Sequence, residues 1–86
     1  MEKEKNRPVF ERRLGTCRVA VWENFAADSG RLWFNVAVSR RFKVGEEWRD
    51  ASTYNGIADL MHVRELVDSA KAWIAERELN LGVAAD

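Results

Sequence analysis

At 86 residues the chain is long enough for one domain, and its formal net charge of zero argues against a strongly cationic nucleic-acid-binding protein. A single cysteine, Cys17, excludes an intramolecular disulfide, and no apolar run approaches the roughly 20 residues of a membrane span. The charged N-terminus is unlike a secretory signal. We therefore expect a soluble cytoplasmic protein that does not associate with a membrane.

The charge is distributed unevenly along the chain. Residues 1–50 contain 11 Lys+Arg and 8 Asp+Glu, a net of +3, whereas residues 51–86 contain 3 and 6, a net of −3. Because the first part is predicted to form strands and the second a helix, the distribution favours a mildly basic sheet beside an acidic helix. An imbalance of this size can also arise by chance.

The predicted elements begin after a charged tail. Residues 1–9 show no hydrophobic period and are expected to be disordered, which leaves residues 10–86 as a single domain. The first strand is predicted over residues 13–25, because apolar and polar side chains alternate there. Its apolar face consists of Cys17, Val19 and Val21.

A second strand is predicted after the turn at Asp28-Ser29-Gly30. The strand continues to Val44, and a break at Arg40-Arg41 would divide it into two. A turn at Gly45 then leads to a third strand over residues 47–55. The sequence does not determine the register of this strand, and a shift of one residue would move Trp48 and Tyr54 to the opposite face of the sheet. The apolar face of the second strand consists of Leu32, Phe34, Val36 and Val38.

The hydrophobic period changes to that of a helix from Asp59 onward. The spacing predicts one helix of about 20 residues, with Asp59 as its N-cap and a stop at Asn80 to Gly82. Its apolar stripe must cover the apolar face of the sheet. The sequence thus predicts an α+β domain, an antiparallel β-sheet of three to four strands followed by one C-terminal α-helix packed on one sheet face. The predicted stripe consists of Leu60, Val63, Val67, Ala70 and Ile74, with Leu66 and Trp73 beside it.

The sheet face opposite the helix is predicted to be open, and its residues form the candidate site. Trp22 and Trp33 lie on neighbouring strands and are expected to be cross-strand neighbours. Aromatic rings between cations suit single-stranded nucleic acid, because bases stack on the rings while Arg and Lys hold the phosphates. The candidate nucleic-acid-binding residues are Arg18, Trp22, Arg31, Trp33, Asn35, Arg41 and Lys43, with Ser39 beside them.

Two other interpretations of this face stay open. An exposed pair of tryptophans is also typical of a protein–protein or homodimer interface. A cross-strand Trp pair under an arginine can also simply stabilise a sheet surface. Salt dependence separates nucleic acid from protein as the ligand, since phosphate binding weakens steeply as the salt concentration rises.

The runs LGTCRVAVWENF, GRLWFNVAVSRRFKVGEEWR and DLMHVRELV together resemble the positive-cofactor-four family of single-stranded-DNA-binding transcriptional coactivators, and the Whirly-type proteins are similar in fold. The likeness spans roughly residues 14 to 78. It implies a homodimer joined partly through its helices, with DNA across the sheets at the cationic and tryptophan positions named above. A looser likeness to small uncharacterised bacterial proteins implies no function. The features matched to the first family are Gly15, Phe25, Gly30-Arg31, Val44-Gly45-Glu46 and the helix from Asp59.

The sequence offers little for catalysis. His62, the single histidine, is predicted to be exposed in the first helical turn, and Cys17 to be a small buried apolar side chain rather than a reactive thiolate. One cysteine and one histidine do not make a protein-only zinc site, and no glycine-rich phosphate loop is present. We therefore expect a non-catalytic protein with no cofactor and no bound metal.

Overall fold

A computed structural model describes the backbone of residues 7–85 and the side chains of residues 7–80. Four strands form one antiparallel sheet in the order β1-β2-β3-β4, and one helix follows them, which confirms the predicted α+β architecture. Most of the predicted tail lies outside the described residues, although Val9 at its end donates its N–H to Val21 O at 2.7 Å. The elements are β1 (Phe10–Leu14), β2 (Cys17–Phe25), β3 (Leu32–Val44), β4 (Glu47–Ala51) and α1 (Gly56–Ala85).

The fourth strand does not arise where the sequence suggested. β3 runs without a break through Arg40 and Arg41, and the additional strand is β1 at the N-terminal side. The first predicted strand therefore divides at Gly15, which lies in a turn with a φ of 60°. A positive φ is strained for residues that carry a Cβ, so Gly15 allows the chain to reverse between Leu14 and Cys17.

β4 is shorter than predicted, since it ends at Ala51 rather than at residue 55. Only Gly45 and Glu46 connect β3 to β4, and Val44 consequently pairs with Glu47. This register places Trp48 opposite Lys43 and thereby on the open face of the sheet. Tyr54 lies beyond the strand on the helix side, where its hydroxyl donates to Val38 O at 2.8 Å.

Helix α1 starts three residues earlier than predicted and continues past the predicted stop. Asp59 is therefore not the N-cap; it lies in the first turn, where its Oδ2 accepts the N–H of Asn55 at 2.8 Å. Gly82 does not end the helix, in keeping with a cost of only about 1 kcal/mol for glycine inside a helix. Within residues 7–85 the structure has no helix long and apolar enough to cross a membrane.

The core forms where α1 packs against the sheet, mainly on β1 and β2. Leu66 and Ala70 are buried against the apolar residues of β2, and Trp73 packs on Phe10 and Phe34 at 5.7 and 6.0 Å between ring centroids. The buried stripe is thus rotated from the predicted one, since Leu60 and Val67 are exposed. The buried apolar residues of the sheet side of this core are Cys17, Val19 and Val21.

Candidate nucleic-acid interface

The face of the sheet opposite α1 carries most of the predicted site residues. Strand pairing sets Trp22 opposite Asn35 and Arg18 opposite Ser39, while the core residues Val19 and Val38 face each other on the helix side. Because side chains alternate between the two faces, the predicted alternation of β2 and β3 is confirmed. We call this surface the open face; its predicted members within the strands are Arg18, Trp22, Trp33, Asn35, Ser39, Arg41 and Lys43.

Trp22 and Trp33 are diagonal rather than directly opposed neighbours. Asn35 lies opposite Trp22, and Trp33 lies two residues before Asn35 on β3. Diagonal partners on one sheet face are about 7–8 Å apart, within reach of two indole rings. Trp33 keeps 44% of its surface exposed, whereas Trp22 is half-buried and already interacts with other groups of the chain. Trp33 is thus the more accessible ring for a stacked base.

A second aromatic group lies toward the other end of β3, and the sequence did not assign it to the site. The guanidinium of Arg41 stands over the Trp48 ring at 4.6 Å from its centroid, and the ammonium of Lys43 lies at 5.6 Å. The planar guanidinium of Arg41 places its face on the ring and keeps the N–H donors at its edge available, and the tetrahedral ammonium of Lys43 can turn only some of its three N–H donors toward the ring. Arg41 and Lys43 are therefore held in place while they remain able to bind phosphate.

Arg18 is less available than the sequence suggested. Its Nε donates to Glu11, which lies on the same face of β1, and Arg13 Nη2 is 3.6 Å from the same carboxylate. A carboxylate shared between two guanidinium groups offsets part of their charge. Arg18 consequently contributes less to phosphate binding than Arg41 and Lys43.

Arg31 belongs to the turn before β3 rather than to the strand. Its N–H donates to Ser29 Oγ at 3.2 Å, and its carbonyl accepts the N–H of Ala26 at 2.8 Å. The backbone of the turn is therefore fixed, while the side chain is exposed and has no ion-pair partner among residues 7–80. It provides a cation at the Trp33 end of the open face.

The predicted site residues therefore form two clusters along β3. Trp22, Trp33 and Asn35 make one, with Arg31 beside them; Arg41 and Lys43 make the other around Trp48. Six residues separate Asn35 from Arg41, which at about 3.3 Å per residue is about 20 Å. Over the four strands the open face bears four cations and two carboxylates, a net of +2, so it is mildly basic. These charged residues are Arg13, Arg18, Arg41, Lys43, Glu11 and Asp50.

A separate polar cluster lies on the helix side, where β2 begins. The prediction that His62 is exposed in the first turn is wrong: the helix starts earlier, the residue is half-buried, and its Nδ1 is buried. Burial raises the pKa of the Cys17 thiol, and the negative charge of Asp59 acts in the same direction. A thiol kept protonated in this way is a poor nucleophile.

This cluster unites residues that the sequence did not connect. One ligand atom each from Cys17, Asp59 and His62 lies within 4.8 Å of the others. Asp59 and His62 are three residues apart in the sequence, a spacing that places both on one face of a helix. This spacing was the only feature of the sequence that could have indicated the cluster. Comparison of the chain with family models, with curated proteins and with solved structures gave no match.

Proposed function

We propose that the chain binds single-stranded nucleic acid through the open face and without catalysis. Single-stranded DNA (ssDNA) is the first ligand to test. The observation that carries the proposal is the division of the tryptophans. One of the four, Trp73, packs in the core, whereas Trp22, Trp33 and Trp48 lie on the open face. Aromatic rings on an exposed sheet face offer flat surfaces for stacking, and bases are ligands that stack on such surfaces, which supports the proposal.

Stacking supplies affinity that does not depend on a large positive charge. Each base stacked on an aromatic side chain contributes about 1–3 kcal/mol, and every base has a suitable ring face. Asn35, directly opposite Trp22, adds a donor and an acceptor for a base edge or a phosphate. We therefore expect weak sequence preference together with useful affinity on a chain whose net charge is zero.

The cations lie at both ends of this aromatic surface. Arg31 stands near Trp33, and Arg41 with Lys43 surrounds Trp48, so a strand lying along β3 meets phosphate ligands at each end. Guanidinium groups bind phosphate oxygens in a bidentate manner, which adds strength to a small number of contacts. An oligonucleotide must span the separation of about 20 Å between the clusters to use both.

Fluorescence anisotropy of a labelled single-stranded oligonucleotide, titrated with the protein at several salt concentrations, tests the proposal. If Arg31, Arg41 and Lys43 each neutralise one phosphate, the logarithm of the binding constant should fall by about 2 for each tenfold increase in salt. Absence of binding at tens of micromolar protein, or affinity independent of salt, would contradict it. The open face would then serve either protein binding or the stability of the sheet surface.

We also propose a homodimer, formed on the helix side rather than through the tryptophans. Because α1 covers mainly β1 and β2, an apolar groove remains between the helix and β3. In the groove Val36 is 48% and Val67 is 41% exposed, and Ile74 and Ala75 line it further along. This arrangement leaves apolar surface in contact with water on a small domain, and such domains often gain stability through a second copy.

The charges at the groove favour a second copy over an unrelated partner. Lys71 and Glu78 line it seven residues apart, so an antiparallel two-fold pairing of α1 with its copy sets Lys71 of one chain against Glu78 of the other. The midpoint between them falls at Ile74 and Ala75. The alanine there allows the two helices to approach closely around an apolar centre.

Val67→Glu should convert the dimer to a monomer, since it places a carboxylate in the apolar groove without touching the core. Sedimentation velocity at several protein concentrations provides the measurement. Met61→Glu is the matched control, because Met61 is 66% exposed on the same helix and does not line the groove. A wild-type chain that is monomeric throughout, or a Val67→Glu variant that still dimerises, would show that the groove is not the interface.

A further inference from the structure

The polar cluster beneath the start of α1 has the composition of a metal site. Cys17 comes from the first position of β2, while Asp59 and His62 project from successive turns of the helix. A thiol sulfur, a carboxylate oxygen and an imidazole nitrogen meet there within 4.8 Å of one another. These are the three side-chain donor types that bind Zn²⁺ in proteins.

The imidazole supplies an independent observation. His62 Nδ1 has no hydrogen-bond partner among the described residues, although less than 1 Å² of it is exposed. A buried polar atom without a hydrogen-bond partner is unfavourable, and a bound ligand would remove that cost. The adjoining thiol does not satisfy this nitrogen, since Cys17 Sγ donates instead to the carbonyl oxygen of Asp59 in a long contact of 4.0 Å. The thiol is buried and the imidazole half-buried, and apart from the Thr16 side chain beside the thiol neither Sγ nor Nδ1 has a short hydrogen bond among the described residues.

The local structure holds the imidazole in this position. Gly15, in the turn between β1 and β2, lies directly against the ring: a Cβ at that residue would come within 3.0 Å of His62 Cε1. The glycine therefore serves two purposes, since it permits the positive φ of the turn and leaves space for the ring. Asp59 is fixed as well, because its Oδ2 accepts the Asn55 N–H and lies 3.9 Å from Arg40 Nε.

We propose that the Cys17 thiolate, one ring nitrogen of His62 and one carboxylate oxygen of Asp59 bind Zn²⁺, with water as the fourth ligand. Ligand atoms around a tetrahedral zinc lie about 3.3–3.8 Å apart. Side-chain rotations that move the ligand atoms by about 1 Å therefore bring them to these separations. The thiol proton passes to the solvent when the metal binds, and the thiolate and carboxylate then supply two negative charges to the ion, although the Arg40 guanidinium beside Asp59 offsets part of the carboxylate charge. The hydrogen-bonded carboxylate follows the usual pattern of metal ligands that are themselves held by neighbours.

Binding of the ion would connect the first strand of the core to the helix on the face opposite the tryptophans. Its effect is expected on stability, because any ligand that binds only the folded chain stabilises it by mass action. The site is independent of the proposed nucleic-acid binding: either can fail without the other.

Cobalt substitution tests the site directly, because the chain contains one cysteine and one histidine. Co²⁺ titrated into the untagged, reduced protein should produce a near-ultraviolet thiolate-to-cobalt absorption band that saturates at one ion per chain. Zn²⁺ should displace the cobalt and raise the melting temperature. Cys17→Ser should abolish the band, and His62→Gln should weaken binding by about tenfold or more.

Asp68→Asn is the matched control, since it removes an exposed carboxylate from the same helix and should leave the cobalt affinity unchanged. Circular dichroism of each variant confirms that it remains folded, so a lost band reports a lost ligand. The proposal is overturned by a wild-type chain that shows no thiolate band at hundreds of micromolar Co²⁺. It is equally overturned by one ion shared between two chains, or by undiminished zinc affinity in Cys17→Ser.

Discussion

Trp33→Ala is expected to weaken binding to a single-stranded oligonucleotide by about 5- to 150-fold while leaving the melting temperature nearly unchanged. The affinity loss corresponds to one stacked base at about 1–3 kcal/mol. Stability should be preserved because Trp33 is 44% exposed and lies on the face opposite the core. Anisotropy titrations give the affinity, and thermal unfolding followed by circular dichroism gives the stability.

Phe25→Ala is the matched control for this experiment. Phe25 is an exposed aromatic side chain at the end of β2, but it pairs with Leu32 and therefore lies on the helix side. Its removal should not change the affinity for nucleic acid. Equal losses in the two variants would indicate a general aromatic effect, and dissociation of a dimer in Trp33→Ala would make the open face a self-association surface.

The phase of the two central strands was predictable because their faces differ strongly in polarity. Val19 and Val38 pair in the core, and the alternation that places them there also places Trp33 outside. The face of Trp48 was predictable in principle. The two-residue connection at Gly45 and Glu46 places Val44 opposite Glu47. Trp48 must then pair with Lys43, on the open face.

β1 was not predicted from the sequence as a separate strand, because an arginine occupies the central position on its helix-facing side. Arg12 pairs with Val19 across the sheet, where a local pattern would require an apolar residue. Its guanidinium instead bonds to Ser69 and lies 3.3 Å from Glu65, both on α1. Partners more than fifty residues away along the chain leave no local signal.

The zinc ligands were not predictable for the same reason. Cys17 and the pair of Asp59 with His62 come together only because α1 packs across the start of β2. Local spacing joins the aspartate to the histidine, whereas the cysteine is brought in by tertiary packing alone. To predict such a cluster one must know which face of α1 contacts the sheet. The hydrophobic periodicity of the sequence predicted that face with an error of part of a helical turn.

Leu66→Ala should reduce the free energy of unfolding by about 2–5 kcal/mol, the largest loss of stability that we expect from one substitution. Leu66 has no exposed surface and packs against the β2 core residues Cys17, Val19 and Val21, so it connects the helix to the sheet. Deleting its side chain leaves a cavity in a core with few members. Because small domains are stable by only about 5–15 kcal/mol, the variant should unfold at a much lower urea concentration.

Leu79→Ala makes the same chemical change in the same helix at a residue that is 67% exposed, and it should change stability by no more than about 0.5 kcal/mol. Both variants must be compared at one protein concentration, because a dimer makes the unfolding midpoint depend on it. Similar losses in the two variants would mean that α1 does not pack on the sheet through Leu66. Under folded conditions Leu66→Ala should still bind the oligonucleotide, since the open face lies on the other side of the sheet.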